Sequence, residues 1–327
     1  MTERPLVSVI TANYNAGRYL PAAIHSVLEQ TLGSLELIVV DDRSSDDSVA
    51  ILQREAARDP RVRVLVQAQN GGPAAARNRA LDAARGRWIA LFDSDDLMAP
   101  DRLERLVERA QGDGADMVAD NLMVFADGSD EPWRPLLTGR DYAEPRWIDL
   151  AEYIAANRLY AKRPGLGYLK PLFCAERLAG LRYREDLRIG EDYDFVARLL
   201  ARGCSLRFEP AALYRYRKHA SSISHVLRRE HIERMIAADA ALAGEFAAQP
   251  ASVRRAQHAR ERSLETALAY DRVIEGLKAG RLPDVLAASV RSPSVLPLLT
   301  MPVTARLKRI AARFMTSVRP PPAGAVA

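Results

Sequence analysis

The chain has little cysteine, little histidine and no long apolar run. Its 327 residues include two cysteines, Cys174 and Cys204, and five histidines, which are spaced neither as a zinc site nor as a disulfide framework. No apolar run reaches the roughly 18 residues that a membrane span needs, and residues 1–5 are too few and too polar for a signal peptide. We therefore expect a cytoplasmic protein with reduced thiols, without zinc and without a membrane-spanning helix.

The overall composition is that of a folded protein, and the C-terminal part is basic. The sequence is 48% hydrophobic and 27% charged, which suits one large domain with an extension. Residues 225–327 contain 16 Lys and Arg against 9 Asp and Glu, whereas the first 224 residues contain 31 against 33. We predict a domain over residues 1–224, a helical extension over 225–319 and a disordered end over 320–327. Nucleic-acid binding is not expected, because aromatic residues are absent from most of the basic end.

Short apolar segments alternate with amphipathic ones along the first 125 residues. Apolar, β-branched runs separated by helical stretches of about 10 to 15 residues indicate βαβ units and a parallel sheet that is covered on both faces. We therefore predict an α/β fold with a Rossmann-like, mostly parallel sheet. The predicted strands are residues 6–10, 35–40, 62–66, 88–92 and 117–125, and the predicted helices are residues 19–30, 46–57, 73–84 and 100–111.

Two acidic clusters follow predicted strands. The first is the sequence from Asp41 to Asp47, and the second is Asp93-Ser94-Asp95-Asp96. Crowded carboxylates at the end of a buried strand are costly unless a cation neutralises them, although Asp96 is also suited to cap the next helix. Because the carboxyl ends of parallel strands share one edge, both clusters are expected at one ligand-binding crevice, with a metal site at the second.

Five ordered segments within residues 6–225 resemble those of family 2 glycosyltransferases. The remaining hundred or so residues are not covered by this resemblance. The segments are residues 7–31, the acidic stretch 41–46, Asn70-Gly71-Gly72-Pro73 with Arg77-Asn78, the cluster 93–96, and Gly190-Glu191-Asp192 followed by the basic stretch 216–224. The overall pattern is most similar to exopolysaccharide glucosyltransferases of the succinoglycan type.

The resemblance implies a GT-A fold that binds a nucleoside-diphosphate sugar and transfers the sugar with inversion. It places the nucleotide sugar against Ala12, Asn13, Tyr14, Asn15, Asp42, Arg77, Asp93 and Ser94. In these roles Tyr14 lies against the base, Asp42 accepts from the base's ring N–H, and Asp93 accepts from a ribose hydroxyl. Tyr14 as a half-buried loop residue and Arg77 as a surface residue stay open, and Asp41 is expected to satisfy loop amides.

The same resemblance assigns the cation and the base. It makes Asp95 the direct ligand of Mg²⁺ or Mn²⁺, a hard ion that suits oxygen ligands, with His219 as a further ligand and Arg217 or Lys218 as alternatives to it. Inverting transfer needs a carboxylate that takes the acceptor's proton. Asp192 is the expected base and Glu191 the second choice. Both lie in the first turn of a predicted helix, where capping is the alternative role.

The partners follow from the tail and from the insertion before the base helix. Residues 295–319 combine five basic residues with apolar ones and contain no acid, which suits a helix on an anionic membrane or one packed on the domain. The aromatic residues of 127–163 suit a saccharide acceptor, and we expect a saccharide linked to a polyprenyl diphosphate. We expect a peripheral protein at the inner face of the plasma membrane. A haloacid-dehalogenase-like phosphatase and a non-catalytic sugar-nucleotide-binding protein are the alternatives.

Overall fold

A computed structural model describes residues 4–161, 164–219 and 227–300. Its strands form one ten-stranded sheet whose main order is β3-β2-β1-β4-β9-β6-β10-β5, with β7 and β8 paired at the side to β6 and β10. The strands are β1 Val7–Asn13, β2 Leu35–Asp41, β3 Val62–Val66, β4 Trp88–Asp93, β5 Leu97–Met98, β6 Met117–Ala126, β7 Arg134–Pro135, β8 Arg146–Ile148, β9 Leu172–Cys174 and β10 Leu206–Lys218.

Helices alternate with the first strands, as the sequence predicts. The helices are α1 Leu20–Leu28, α2 Ser48–Arg58, α3 Gly72–Ala83, α4 Arg102–Asp113, α5 Leu150–Ala156, α6 Ala175–Leu178, α7 Glu191–Ala201, α8 Arg229–Glu245, α9 Ala251–Lys278 and α10 Leu282–Arg291. Strand β2 is buried along its whole length, which its continuous apolar run requires of a strand covered on both faces. The predicted α/β fold is confirmed.

The parallel part of the sheet is β3-β2-β1-β4, and its continuation is mixed. Strand β9 pairs antiparallel with both β4 and β6, and β10 then pairs parallel with β6. Strand β9 was not predicted, because three residues carry no readable period. The basic stretch expected as a loop from Tyr216 begins instead inside β10, which ends at Lys218. Residues 220–226 lie outside the described part.

Close approach at Gly86 sets the start of β4. A Cβ at this position would lie 2.4 Å from the backbone nitrogen of Ser8, so only glycine fits there. The Gly86 amide donates to the Ser8 hydroxyl oxygen at 2.8 Å, and the same hydroxyl donates to Glu36 at 2.7 Å. Arg63 and Arg85 pair with Glu36 at 2.8 and 2.9 Å. This polar cluster joins β1, β2, β3 and the start of β4.

A buried ion pair supports the site from within the fold. Arg102 and Asp120 are both fully buried, with a guanidinium nitrogen 2.8 Å from the carboxylate. The same guanidinium donates to the Lys170 carbonyl at 2.6 Å and lies over the Tyr214 ring at 4.9 Å. Arg102 therefore fixes the backbone of Lys170 and the ring of Tyr214 together.

The chain divides into two compact units, residues 1–261 and 262–327. In the second unit Ala269, Val273 and Val295 form a buried apolar cluster, and a 3₁₀ turn over Pro293–Leu299 follows α10. The helices after residue 224 confirm that the extension is helical, whereas its boundary at 224 stays a prediction. Among the helices of the described residues, none combines the length and apolarity needed to cross a bilayer. Residues 301–327 lie outside the described part.

Candidate active site

The two acidic clusters lie at the same edge of the sheet, at the ends of strands that flank β1. Asn13 at the end of β1 pairs in register with Asp41 of β2, and Ala12 pairs with Asp93 of β4. This edge carries the carboxyl ends of the parallel strands, where open α/β sheets bind their ligands. The sequence-predicted meeting of the two clusters is therefore present.

The first cluster is satisfied by amides and hydroxyls. The Asp41 carboxylate accepts from the Ser44 amide at 2.9 Å, from the Ser44 hydroxyl at 2.6 Å and from the Asn13 side-chain amide at 2.8 Å. Asn15, at φ 50°, accepts from the Ser45 amide at 2.8 Å. Asp41 is fully buried. These contacts tie the loop after β1 to the loop after β2.

Asp42 holds the glycine loop that precedes α3. Its carboxylate accepts from the Gly71 amide at 2.7 Å, the Gly72 amide at 2.8 Å and the Gln67 side-chain amide at 2.6 Å. A carboxylate has about four acceptor positions, so one position remains beyond these three contacts. Tyr14, in the preceding loop, is half exposed, as an aromatic that receives a planar base must be.

The second cluster is joined to the helix α7 acids by two cations. Arg77 contacts the Asp93, Glu191 and Asp192 carboxylates at 2.8, 2.6 and 3.0 Å. Lys170 contacts Asp93 at 2.7 Å and Asp192 at 2.8 Å. Arg77 is thus not a surface residue, since its side chain is 5% exposed. The structure brings β4, α3, the segment before β9 and the first turn of α7 together in one charged cluster.

The two cations decide the ionisation of this cluster. Burial by itself raises the pKa of Asp93, but Lys170 and Arg77 outweigh it and hold that pKa well below its usual range. Burial opposes the charge of Lys170, yet Asp192 and Asp93 raise the pKa of its ammonium. Burial and the neighbouring Asp192 raise the pKa of Glu191, and Arg77 offsets only part of that rise. Asp93 and Lys170 are therefore charged at neutral pH.

Asp95 lies beside His219, and both face the crevice end of β4. The Asp95 carboxylate is 2.7 Å from His219 Nε2 and is 29% exposed. Burial and the charge of Asp93 raise the pKa of Asp95, so its ionised form lacks compensation. No group of three or more His, Cys, Asp or Glu side chains suited to a metal occurs in the described ranges. An ion that is held by one or two side chains plus substrate phosphates fits this pair, which is how Mg²⁺ is usually bound.

Asp96 does not cap α4 and instead holds the end of β10. Its carboxylate accepts from the Tyr214 hydroxyl at 2.7 Å and from the Arg217 amide at 2.7 Å, and α4 begins after Asp101. The Tyr214 hydroxyl also accepts from the Asp93 amide at 3.1 Å. The Arg217 side chain donates to the Asp95 carbonyl at 2.7 Å. The end of β10 therefore holds the backbone of the second acidic cluster.

Sequence reasoning missed Lys170 and Tyr214. Lys170 lies between Leu169 and the apolar strand β9. A lysine beside apolar residues is the one sequence feature that could have indicated a role in the site. Tyr214 gives no signal, because a tyrosine in a strand is ordinary. Ala12 and Ser94 lie at the same edge, in β1 and directly after β4, and Ser94 is buried.

Two carboxylates of the charged cluster are accessible from the crevice. Asp192 is 12% exposed and Asp93 23% exposed, so both carboxylates are reachable from the crevice. Asp192 lies in the first turn of α7 after Gly190, which adopts φ 88°. Its two carboxylate oxygens accept from Arg77 at 3.0 Å and from Lys170 at 2.8 Å. A carboxylate beside a crevice is able to accept a proton.

Comparison with known proteins agrees with this geometry. The profile of "Glycosyl transferase family 2" matches residues 8–179. The succinoglycan biosynthesis protein ExoO of Rhizobium meliloti is 40% identical over 314 residues, which cover 95% of this chain and 88% of that protein. ExoU of the same organism is 34% identical over 264 residues, covering 78% of this chain and 76% of ExoU.

Two solved structures share the fold. The Staphylococcus aureus TarS 1–349 structure with UDP-GlcNAc has a TM-score of 0.60 at 17% identity, covering 88% of this chain and 92% of that chain. The Pyrobaculum calidifontis mannosyltransferase PcManGT, in complex with GDP-Man and Mn²⁺, has a TM-score of 0.60 at 19% identity, covering 96% and 84%. These similarities confirm the predicted GT-A fold. The family match and the similarity to ExoO set aside the phosphatase and the non-catalytic alternatives. The chain belongs to glycosyl transferase family 2 and is a glycosyltransferase.

Proposed function

We propose that the chain transfers glucose, with inversion, from UDP-glucose to a saccharide linked to a polyprenyl diphosphate. The pathway would be the biosynthesis of an exopolysaccharide or another cell-surface glycan. Support comes from the names of ExoO and ExoU, both succinoglycan biosynthesis proteins, and from the UDP-GlcNAc complex of TarS. The observation that carries the proposal is the placement of Asp192 beside Asp93 through Lys170, because it sets a proton acceptor next to a donor-binding carboxylate.

Asp192 acts as the general base in this proposal. It takes the proton of the acceptor hydroxyl while that oxygen forms a bond to the anomeric carbon, and the bond from this carbon to the diphosphate oxygen breaks. Lys170 and Arg77 each hold one oxygen of Asp192, so they are positioning residues. Glu191 is the second choice for the base, because its carboxylate contacts Arg77, whereas that of Asp192 is also joined to Asp93 through Lys170.

Asp95 and His219 would hold the divalent cation, Mg²⁺ or Mn²⁺. When bound, the ion supplies Lewis-acid stabilisation of the negative charge that develops on the leaving diphosphate. The mannosyltransferase with GDP-Man and Mn²⁺ supports the use of a divalent metal. Arg77 adds a fixed positive charge to the same crevice.

The nucleoside and the acceptor occupy opposite sides of this cluster in the proposal. Tyr14, with Asn13, Asn15 and Asp42 around it, receives the base, and Asp93 and Ser94 receive the ribose. On the acceptor side, Tyr168 is 47% exposed and lies two residues before Lys170, with its ring 6.5 Å from that of Tyr216. Aromatic faces of this kind suit the apolar face of a sugar ring.

We place the enzyme in the cytoplasm, peripherally at the inner face of the plasma membrane. The free thiols Cys174 and Cys204 are consistent with a reducing compartment. A polyprenyl-linked acceptor would be presented at that membrane face.

Donor hydrolysis tests the proposal directly. UDP-glucose, UDP-galactose, UDP-GlcNAc and GDP-mannose are each incubated with the full chain, with Mn²⁺, with Mg²⁺ and with EDTA. Release of UDP from UDP-glucose that needs the metal is expected, and the Asp192→Asn variant, which lacks the proposed base, should release UDP more slowly. Cleavage of another donor in preference to UDP-glucose would refute the donor assignment. If none of the four donors is cleaved, the proposed function is refuted.

A further inference from the structure

Helix α10 carries an apolar stripe that faces solvent. Leu282, Leu286 and Val290 follow one another at four-residue intervals, which places them on one side of the helix. Their exposed fractions are 62%, 66% and 77%. The stripe is about 12 Å long at the helical rise per residue. Within the described residues it is the largest run of exposed aliphatic side chains on one helix.

This stripe is not the face by which α10 packs in its own unit. Val285 and Ala288 lie against the buried cluster of Ala269, Val273 and Val295. A helix that only packs on its own domain has one apolar face and one polar face. Helix α10 has a second apolar face, and an exposed apolar patch of this kind indicates a binding surface.

The charged residues that flank the stripe indicate which kind of partner binds it. Exposed Lys278 and Arg281 precede it and exposed Arg291 follows it. Residues 276–300 contain three basic residues, Lys278, Arg281 and Arg291, against one acid, Asp284. A second copy of α10 would bring its own three basic residues to the same contact, which disfavours self-association. An anionic surface with an apolar interior complements both the stripe and its flanks.

We propose that the α10 surface, meaning Leu282, Leu286 and Val290 with Lys278, Arg281 and Arg291, lies in the headgroup region of an anionic bilayer. The stripe enters the boundary of the acyl chains, and the basic flanks meet the lipid phosphates. This inference rests on the membrane-side location proposed above. It assigns that location to a surface in the described chain, upstream of all five basic residues of 295–319.

Vesicle sedimentation of the full chain tests the α10 surface. Large vesicles of phosphatidylcholine alone are compared with vesicles that contain about 30% phosphatidylglycerol, at about 50 and about 500 mM salt. We expect binding to the anionic vesicles at low salt. The Leu282→Ser, Leu286→Ser, Val290→Ser variant should bind at least about tenfold more weakly. The Lys278→Gln, Arg281→Gln, Arg291→Gln variant should lose about a hundredfold at low salt and much less at high salt.

The control is Trp147→Ser, which removes an exposed apolar side chain from β8, where 47% of the residue is exposed. It should bind vesicles as the unchanged chain does. The inference is overturned if the unchanged chain ignores anionic vesicles or if the serine variant binds equally well. A lower oligomeric state of the serine variant in light scattering would show a second copy on the stripe. A lower unfolding temperature of the serine variant would show that another part of the same chain packs on the stripe. Either result overturns the inference.

Donor hydrolysis without vesicles separates this inference from the proposed function. Both triple variants should cleave the donor at the rate of the unchanged chain, since none of the six residues lies in the described active site. Normal hydrolysis with lost sedimentation supports both ideas. Normal hydrolysis with unchanged sedimentation overturns the α10 surface alone. If the unchanged chain cleaves no donor while the triple variants lose sedimentation, the proposed function alone is overturned.

Discussion

The two acidic clusters at the edge of the sheet look alike in sequence and differ in their partners. Asp41 and Asp42 accept hydrogen bonds from backbone amides and neutral side chains of neighbouring loops. Asp93 and Asp95 instead contact the ionisable side chains of Lys170 and His219. The first pair is nearly fully buried, whereas the second is 23% and 29% exposed at its side chains. The first pair thus holds loops, with one acceptor position of Asp42 remaining for a ligand, whereas both carboxylates of the second pair are exposed to the crevice.

The difference is also electrostatic. Burial by itself raises the pKa of Asp46, in the first cluster, but the Ser48 hydroxyl and the Gly17 and Ser48 amides outweigh burial and lower it. In the second cluster burial and a like charge raise the pKa of Asp95 despite His219. The fold therefore stabilises the ionised form of Asp46 and leaves that of Asp95 uncompensated. A bound cation would supply the missing compensation.

The largest expected effect is at the crevice acid on α7. Asp192→Asn removes the proton acceptor and keeps the shape of the side chain, so kcat for transfer should fall by about 10² to 10⁴-fold. Donor affinity should change little, because Asp93 and Asp95 remain. Initial rates against donor and acceptor concentration, with calorimetry of UDP binding, measure both quantities.

Glu191→Gln is the matched control for that change. Its carboxylate contacts Arg77 at 2.6 Å, whereas the Asp192 carboxylate also contacts Lys170, which joins it to Asp93. The loss of Glu191 should therefore reduce kcat less than the loss of Asp192. The reverse order of the two effects would identify Glu191 as the base and Asp192 as its neighbour.

The next effect tests the comparison itself by making one change in each cluster. Asp95→Asn should weaken metal-dependent UDP binding by about ten- to a hundredfold, because a hard cation loses a charged ligand. Asp41→Asn should leave the metal dependence of UDP binding unchanged. Calorimetry with Mn²⁺ and with EDTA gives the metal-dependent part of the affinity for each variant.

Asp41→Asn should act on stability instead. An amide lacks one of the acceptor oxygens that Ser44 and Asn13 use, so we expect a loss of about 2 kcal/mol in the free energy of unfolding. Denaturant unfolding measures this loss. An Asp41→Asn protein with normal stability but altered metal dependence would show that the two clusters are not separated as described.

The sequence was informative about the sheet edge because of parallel topology. Apolar runs that end in Asp41 and in Asp93 are recognisable alone, and parallel strands bring such ends to one edge whatever their exact lengths. The composition of the two clusters, however, does not distinguish them. The two clusters differ in the side chains that contact them from distant positions in the sequence, as Lys170 contacts Asp93.

The remainder of the site depends on tertiary contacts that leave no local period. Strand β9 has three residues, and its place between β4 and β6 follows from pairing and not from propensity. Lys170 enters the site because β9 follows it and because Arg102 holds its carbonyl. Arg77, by contrast, lies on a helix whose start was predicted, and only its burial was missed.

A smaller effect concerns Lys170, which joins the crevice acids. Lys170→Met should lower kcat by about tenfold, because Asp192 loses a partner that orients it. The acidic limb of the kcat profile should move to higher pH, since removal of a nearby positive charge disfavours an ionised carboxylate. Lys170→Arg should restore part of the rate. A lower rate with an unmoved pH profile would reduce Lys170 to a structural residue.

The smallest expected effect is at Glu36, near the other end of the strand that carries Asp41. It tests whether a charged, paired carboxylate away from the crevice contributes to stability and not to activity. Glu36 has cationic partners, as Asp93 has, yet its side chain is 3% exposed and lies away from the crevice edge. Burial raises its pKa, but Ser8, Arg63 and Arg85 outweigh burial and lower it.

A carboxylate whose pKa is lowered by folding contributes stability above its unfolded pKa, about 4.3 for Glu, and loses that contribution as the pH falls through the folded pKa. Glu36→Gln should therefore cost about 1 kcal/mol at pH 7, a modest value because Arg63 and Arg85 are partly solvated. The difference from the unchanged chain should shrink below about pH 4. Urea unfolding across that pH range measures it, with donor hydrolysis at pH 7 expected to be unchanged. A cost that persists at low pH would mean that packing, and not the ionised carboxylate, is what Glu36 contributes to β2.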